Sequence, residues 1–282
     1  MKKQTILVTG SKGMIGSHLV KSLLDEKYDV VGLDRRNDKI CSSNYYFHEV
    51  DLADKESIKR IIANYQVDRI IHLAALAHAT DGKEYSWLDY YHLNVKCAKN
   101  LFEAVGKRPV LFISTIDVFG FTNGVVNAQT ELHPVSNYGK SKMMAEVECK
   151  KLAHYSIFRF SPIYTDKIKR DIQKRYYLKY PNIAYQIGKG TEYEILNING
   201  AVAAMIGWCS EEAKNDIKII KDPENMKTSL YISAEKAEGR ARMVLRFPRW
   251  MMNCVYAVLK RLMGDNKYTY LLNKAVHPLR SE

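Results

Sequence analysis

The sequence predicts an α/β fold, a doubly wound parallel sheet with helices on both faces, followed by a smaller C-terminal region of different construction. Three observations carry this. Short apolar runs alternate with helix-like stretches through the first half, a glycine-rich turn joins the first run to the first helix, and the alternation stops after about Ile163. The strands are placed at residues 5–8, 29–33, 45–50, 69–73, 110–114 and 156–160, and the helices near 14–26, 54–65, 85–105 and 138–153. Val, Ile and Leu on both sides of the strand runs suit a sheet covered on both faces. A further run at 217–220 is a strand that could return to the main sheet.

Composition bounds the function. A chain of 282 residues with 46% hydrophobic and 26% charged residues reads as an ordinary globular protein, which excludes disordered and fibrous classes. No apolar stretch reaches the roughly 18 residues that a bilayer span needs. The opening MKKQTILVTG runs into a glycine turn too soon for a signal-peptide core, so export is not expected. Five cysteines (Cys41, Cys97, Cys149, Cys209 and Cys254) lack CxxC spacing and are odd in number. A disulfide framework or a metal site is therefore not expected, and a reducing cytoplasm fits. The net charge of +12 admits a nucleic acid, an anionic membrane surface or a phosphate-bearing ligand, and a solvated basic face gives the same number. Nucleic-acid binding ranks last, because Tyr176, Tyr177 and Tyr180 beside Lys174, Arg175 and Lys179 are a faint version of the stacking aromatics it demands, and no nucleic-acid partner is expected.

The first strand leads into Gly10, Gly13, Met14, Ile15 and Gly16 and then a helix with Leu19, Val20, Leu23 and Leu24 on one face. Such a turn lets the backbone approach a pyrophosphate, whose charge suits the unpaired N–H groups at a helix start. The glycines follow GxxGxxG rather than GxGxxG, so the context of strand, helix and acid strengthens a weak pattern. That acid is Asp34, at the end of the second strand, where a carboxylate accepts from a ribose 2′-hydroxyl and repels a 2′-phosphate. NAD is favoured over NADP on this ground, although Arg35 and Arg36 would suit the phosphate instead.

The fifth strand ends in Ser114 and Thr115, and Tyr138 with Lys142 follows at i, i+4, one face of a helix. An ammonium beside a phenol favours the phenolate, so Tyr138 would act as a base well below the usual tyrosine value of about 10. Thr115 would hold a substrate hydroxyl in line for the transfer.

TGSKGMIG at 9–16, Asp34, Val50-Asp51-Leu52, His72-Leu73-Ala74-Ala75, Asn94, Ser114-Thr115 and Tyr138 with Lys142 resemble, in order and spacing, the extended short-chain dehydrogenases that include sugar-nucleotide epimerases and dehydratases. The resemblance covers about residues 4–165. It implies a Rossmann-type NAD-binding domain over 1–164, a substrate-binding region over 165–282, and a homodimer formed through the helices near 85–105 and 138–153. Asp51 and Leu52 would lie along the adenine, and Leu73, Ala74 and Ala75 along the ribose and phosphates. Asn94 and Ser114 belong to the cofactor set, and Ser161-Pro162 would lie near the nicotinamide.

Epimerisation of a nucleotide-activated sugar, in surface-glycan biosynthesis, needs only Thr115, Tyr138 and Lys142. A 4,6-dehydratase of this family needs an Asp-Glu pair after the threonine, where Ile116 and Asp117 stand, so dehydration is disfavoured. A reductase is the enzymatic alternative, and a non-catalytic dinucleotide sensor is the alternative outside catalysis. Substrate contacts are expected from Thr115, Asp117, Arg175, Lys189 and Tyr193. Tyr193 stands where the family places an arginine for the pyrophosphate, and Lys167, Lys169, Arg170, Lys174 and Arg175 are basic residues that could substitute. From Arg246 the chain reads as an amphipathic basic helix to 264, whose apolar face is expected to pack on the second half. Peripheral contact with an anionic membrane is the alternative.

Overall fold

The apolar runs of the first half assemble one parallel sheet in the computed structural model, which describes residues 4–36, 40, 42–77, 85–121, 124–178 and 182–282. Its strands are β1 (Thr5–Thr9), β2 (Asp29–Asp34), β3 (Tyr45–Glu49), β4 (Arg69–His72), β5 (Val110–Thr115), β6 (Tyr155–Phe160) and β7 (Asp216–Ile220). They lie in the order β7-β6-β5-β4-β1-β2-β3, every neighbouring pair parallel. The winding reverses between β1 and β4, which opens a crevice at the carboxyl ends of those strands. The edge strand β7 comes from the second half of the chain and pairs with β6 from Asp216↔Ser156 to Ile220↔Phe160.

Successive residues of a strand point to opposite faces, and two cores follow. Leu7, Val31, Ile70, Phe112 and Ile157 face one layer with α2 (Lys55–Asn64), α3 (residues 87–104) and α4 (Asn137–Cys149). Ile6, Val8, Val30, Ile71, Leu111 and Phe158 face the other with α1 (Met14–Asp25) and α5 (Ile198–Ser210). The helix α3 is composite, running through Trp87–Tyr90, a π turn at Tyr91–Lys96 and Cys97–Ala104. Ser86 and Asp89 cap its start reciprocally, which stops it short of Tyr85.

The second half has a small core of its own, with Ile172, Tyr176, Ala184, Tyr193, Ile195, Met226 and Ile232. The segment 165–189 holds the short helix Arg170–Gln173 and the strand Ile183–Ile187, which pairs with Met243–Phe247. Two helices follow, α6 (Arg249–Met263) and α7 (Lys267–Val276). The final strand, Arg280–Ser281, returns to pair with Val125–Val126 in the loop after β5.

The packing expected for the amphipathic helix is found only in part, Met251 and Leu259 being half-buried and the rest of that face exposed. No residue of α6 is buried, and Trp250, Val258 and Leu262 are 70%, 56% and 76% exposed. Its inward side is held by other groups. Arg249 donates to the Val276 carbonyl at 2.9 Å, Lys260 lies 4.8 Å from the centre of the Phe121 ring, and the Tyr256 hydroxyl accepts from Asn273 at 3.0 Å. Met252, Tyr256 and Leu259 are half-buried on this inward side with Lys260, and the row Trp250, Val258 and Leu262 is left facing out.

Candidate active site

Between β1 and α1 the turn is bare backbone. Gly10 has φ +68° and donates to the Leu33 carbonyl at 2.8 Å, so the turn is braced against the end of β2. A Cβ at Gly16 would stand 2.1 Å from the Gly10 oxygen, and one at Gly10 would stand 2.8 Å from the Ala74 nitrogen. Only glycine permits that approach. Gly13 caps α1 without a side-chain hydrogen bond, and the first turn carries no acid, so the helix start presents its N–H groups and partial positive charge unfilled. Met14 and Ile15 begin this turn, Met14 being 36% exposed. The Ser11 hydroxyl is buried beside it without a partner among the described residues. Asp34 accepts from the backbone N–H of Lys12 at 3.0 Å and of Arg36 at 3.2 Å, and the Arg36 guanidinium folds to within 3.7 Å of it. The acid and the basic alternative thus sit together, with Arg36 neutralising part of the charge that would repel a phosphate.

Around this turn the other sheet ends converge. Thr9 takes the Ala74 N–H at 3.2 Å and meets His72 Nδ1 at 2.6 Å, which leaves Leu73, Ala74 and Ala75 partly open along the crevice. His72 is fully buried, stacked on Phe112 with ring centres 5.6 Å apart, and burial together with the nearby Lys142 charge lowers its pKa to about 3. It is a neutral packing residue. The π turn seats Asn94, whose amide oxygen accepts from Leu76 at 2.7 Å while its nitrogen donates to Ser141 on α4 at 2.9 Å. Asp51 is exposed after β3, accepting from the Ala53 N–H at 2.9 Å, and Leu52 is buried.

Ser114 and Thr115 end β5 directly beside Arg159 and Phe160 of β6. The Thr115 hydroxyl accepts from the Asp117 N–H at 3.2 Å and so caps the turn Ile116–Val118. That turn lies against the start of α4, since a Cβ on Gly139 would stand 2.7 Å from the Asp117 oxygen. Tyr138 and Lys142 are successive turns of α4, and the half-buried Tyr138 ring meets Tyr90 of α3 with centres 6.5 Å apart. Lys142 is buried, its ammonium 4.0 Å from the centre of the Phe112 ring, and burial lowers its pKa to about 7 despite the opposing charge of Glu146. Ser161 and Pro162 follow β6, the Ser161 hydroxyl again buried and without a partner among the described residues.

Two orphaned hydroxyls, a glycine cradle and an unfilled helix start at one crevice fit a dinucleotide. Its residues lie on the carboxyl ends of β1, β2, β4, β5 and β6.

Glu146, Arg159, Tyr270 and Lys274, which sequence reasoning did not single out, hold this arrangement. Glu146, one turn beyond Lys142 on α4, takes both guanidinium arms of buried Arg159 at 3.1 and 2.8 Å and the Ser114 hydroxyl at 2.6 Å. The available signals were the i, i+4 spacing and a lone charge inside an apolar strand. Asp117 accepts from Ser136, Lys274 and the Tyr270 hydroxyl, the last at 2.9 Å. Burial works against its ionisation, yet the Lys274 charge and these hydrogen bonds hold its pKa below the usual carboxylate value. No local signal links Asp117 to α7.

The expected substrate contacts are divided. Thr115 and Asp117 stand beside α4, while Arg175, Lys189 and Tyr193 belong to the second half. Tyr193 is buried, with the Arg175 guanidinium 4.7 Å from its ring centre, and burial raises its pKa. Lys189 is exposed, and the Arg170 side chain lies outside the described residues, as do Cys41, Lys179 and Tyr180. A cavity of about 690 Å³ opens between Gly190, Glu192, Arg249, His277 and Arg280. It adjoins the segment expected to meet a pyrophosphate and is not lined by Thr115, Tyr138 or Lys142. Among the described residues no group of His, Cys, Asp and Glu is arranged to hold a metal ion.

Residues 6–196 match the model of the NAD dependent epimerase/dehydratase family. A UDP-glucose 4-epimerase of Yersinia enterocolitica is 33% identical over 172 residues, covering 54% of this chain and 51% of that protein. UDP-glucose 4-epimerase 2 of Oryza sativa is 31% identical over 166 residues, covering 53% and 40%. The chain thus spans about half or less of the length of these curated relatives. Among solved structures, the UDP-glucuronic acid 4-epimerase of Bacillus cereus in complex with NAD matches with a TM-score of 0.70 at 23% identity, over 87% of both chains. The UDP-Glc/GlcNAc 4-epimerase of Campylobacter jejuni matches with a TM-score of 0.72 at 19% identity, also over 87% of both. At such identity the structural likeness speaks for the fold.

Proposed function

The chain belongs to the NAD-dependent epimerase/dehydratase family, and from that premise we propose that it is an NAD-dependent epimerase of a nucleotide-activated sugar, serving surface-glycan biosynthesis. Gly10, Gly13, Met14, Ile15 and Gly16 would cradle the pyrophosphate, and Asp34 the adenine ribose. Asp51 and Leu52 would flank the adenine. Leu73 to Ala75, Asn94, Ser114 and Pro162 would line the rest of the cofactor. Bound there, NAD supplies a hydride acceptor that can return the hydride to the opposite face of the sugar carbon.

The protein's own residues handle the proton. Tyr138 takes it from the ring hydroxyl, Thr115 holds that hydroxyl in line, and Lys142 supplies the neighbouring positive charge. The observation that carries this reading is the buried Lys142, one helical turn from Tyr138, with its pKa lowered to about 7. An ammonium in that apolar site is costly alone and is favoured by a phenolate beside it, which is the direction a tyrosine base requires. Asp117 is engaged by Ser136, Tyr270 and Lys274, which supports epimerisation over a dehydration needing a free acid at this turn.

Substrate contacts would come from Thr115, Arg175, Lys189 and Tyr193, with Asp117 ordering the turn beneath them. We place the protein in the cytoplasm and its homodimer contact on α3 and α4, where Leu88 and Val147 are 73% and 53% exposed. The test is incubation of the NAD-loaded protein with UDP-, GDP- and dTDP-sugars, followed by separation of the stereoisomers. Isomerised sugar without net NADH is expected. Accumulated deoxy-keto product, or stoichiometric NADH, would replace this reading with the dehydratase or the reductase.

A further inference from the structure

We propose that α6 is a docking surface for an anionic lipid bilayer. The helix has 15 residues, and none is buried. At 1.5 Å per residue it is about 22 Å long. Trp250, Val258 and Leu262 fall two turns and one turn apart on its outward side, and they are 70%, 56% and 76% exposed. Val255 and Met263 add 40% and 51%. In most surface helices the apolar stripe faces the core and the charges face water. Here Met252 and Leu259 are half-buried toward the protein beside Arg249 and Lys260, which meet Val276 and Phe121, and a second apolar row is left facing water.

Charge selects the occupant. Residues 241–282 contain eight Lys and Arg against two Asp and Glu, a surplus of six, half of the chain's +12. Arg246 and Lys267 are exposed before and after α6, and Arg261 is exposed between Val258 and Leu262. The one acid near the helix end, Asp265, lies 3.5 Å from Lys260. An apolar stripe fringed by cations suits acyl chains below phosphate headgroups, with the helix lying in the plane of the interface. A second copy suits it less, since a two-fold contact would set this basic fringe against its own equal. Among the described residues no helix is long and apolar enough to cross a membrane, so the contact is with the surface.

The test uses the full chain and vesicles of phosphatidylcholine with or without phosphatidylglycerol. Co-sedimentation is expected with the anionic vesicles and not with the neutral ones, and salt should release the protein. Val258→Glu with Leu262→Glu should reduce partitioning more than tenfold, and Arg261→Gln about fivefold. Both variants should retain the wild-type circular dichroism and melting temperature, because the altered side chains are exposed. Equal binding to neutral vesicles, binding unchanged in the double variant, or no binding would each overturn the proposal. So would a dimer in light scattering that the double variant dissociates, which would make a second copy the occupant.

Discussion

At the carboxyl edge of the sheet, Ser11 and Ser161 leave buried hydroxyls without partners among the described residues, and α1 begins on a glycine with no side-chain cap. In the second half Glu194 and Glu235 are tied to their neighbours. Glu194 accepts from the Ser281 N–H at 2.7 Å, its hydroxyl at 2.7 Å and Lys221 at 2.9 Å, and Glu235 takes the Tyr177 hydroxyl and Arg240, at 2.9 and 2.8 Å. Buried polar groups are rarely left unpaired unless something else is to fill them. The difference separates a surface kept open for a ligand from one that spends its charges on closing the fold. Asp117 joins the two, since it sits in the turn after Thr115 and is gripped by α7.

The most severe way to break the open side is chemical. Tyr138→Phe keeps the ring and removes the proton acceptor, and turnover should fall about 10²- to 10⁴-fold with cofactor binding retained. Unchanged turnover would remove Tyr138 from the chemistry. The paired groups beneath it should fail through stability instead. Arg159→Met leaves Glu146 buried without its bidentate partner, and denaturant unfolding should show a loss of about 3–5 kcal/mol. Replacing both together, with Glu146→Leu, should recover much of it.

Between these stands Gly16→Ala, whose Cβ meets the Gly10 oxygen at 2.1 Å. Dinucleotide affinity measured by calorimetry should drop at least tenfold while the sheet stays folded. The smallest effects are those of pH. The folded pKa of Lys142, about 7, lies below its ordinary value of 10.5. The unfolded chain therefore binds the extra proton between those values, and this group makes the unliganded protein more stable as pH rises through that window. Lys142→Met should flatten that rise in the denaturation midpoint. Asp117 works in the opposite range. Its lowered pKa contributes stability above the ordinary carboxylate value of 3.8, lost as pH falls through the folded value. Lys274→Met should raise that pKa and move acid unfolding to higher pH, and an unmoved acid limb would show that α7 does not hold the turn.

Much of the first half was legible because its signals are local. Strand runs with Val, Ile and Leu on alternating faces, the glycines at 10, 13 and 16, and the Tyr138–Lys142 spacing all lie within one element or one turn. The π turn in α3 was not legible, since nothing in the periodicity of 85–105 marks the place where Asn94 is turned toward Leu76 and Ser141. The orientation of α6 was missed for a related reason. Amphipathicity says which residues share a side, and it does not say which side the protein will claim.

The sequence by itself determined the order of strands and helices, the bare turn before α1 and the one-turn spacing of Tyr138 and Lys142, because each depends on neighbours along the chain. Only the tertiary structure decided that Glu146 holds Arg159 and Ser114, that Lys274 reaches Asp117, and that α6 shows its apolar side to solvent. Those outcomes rest on which distant groups meet after folding, when burial makes an unpaired charge costly.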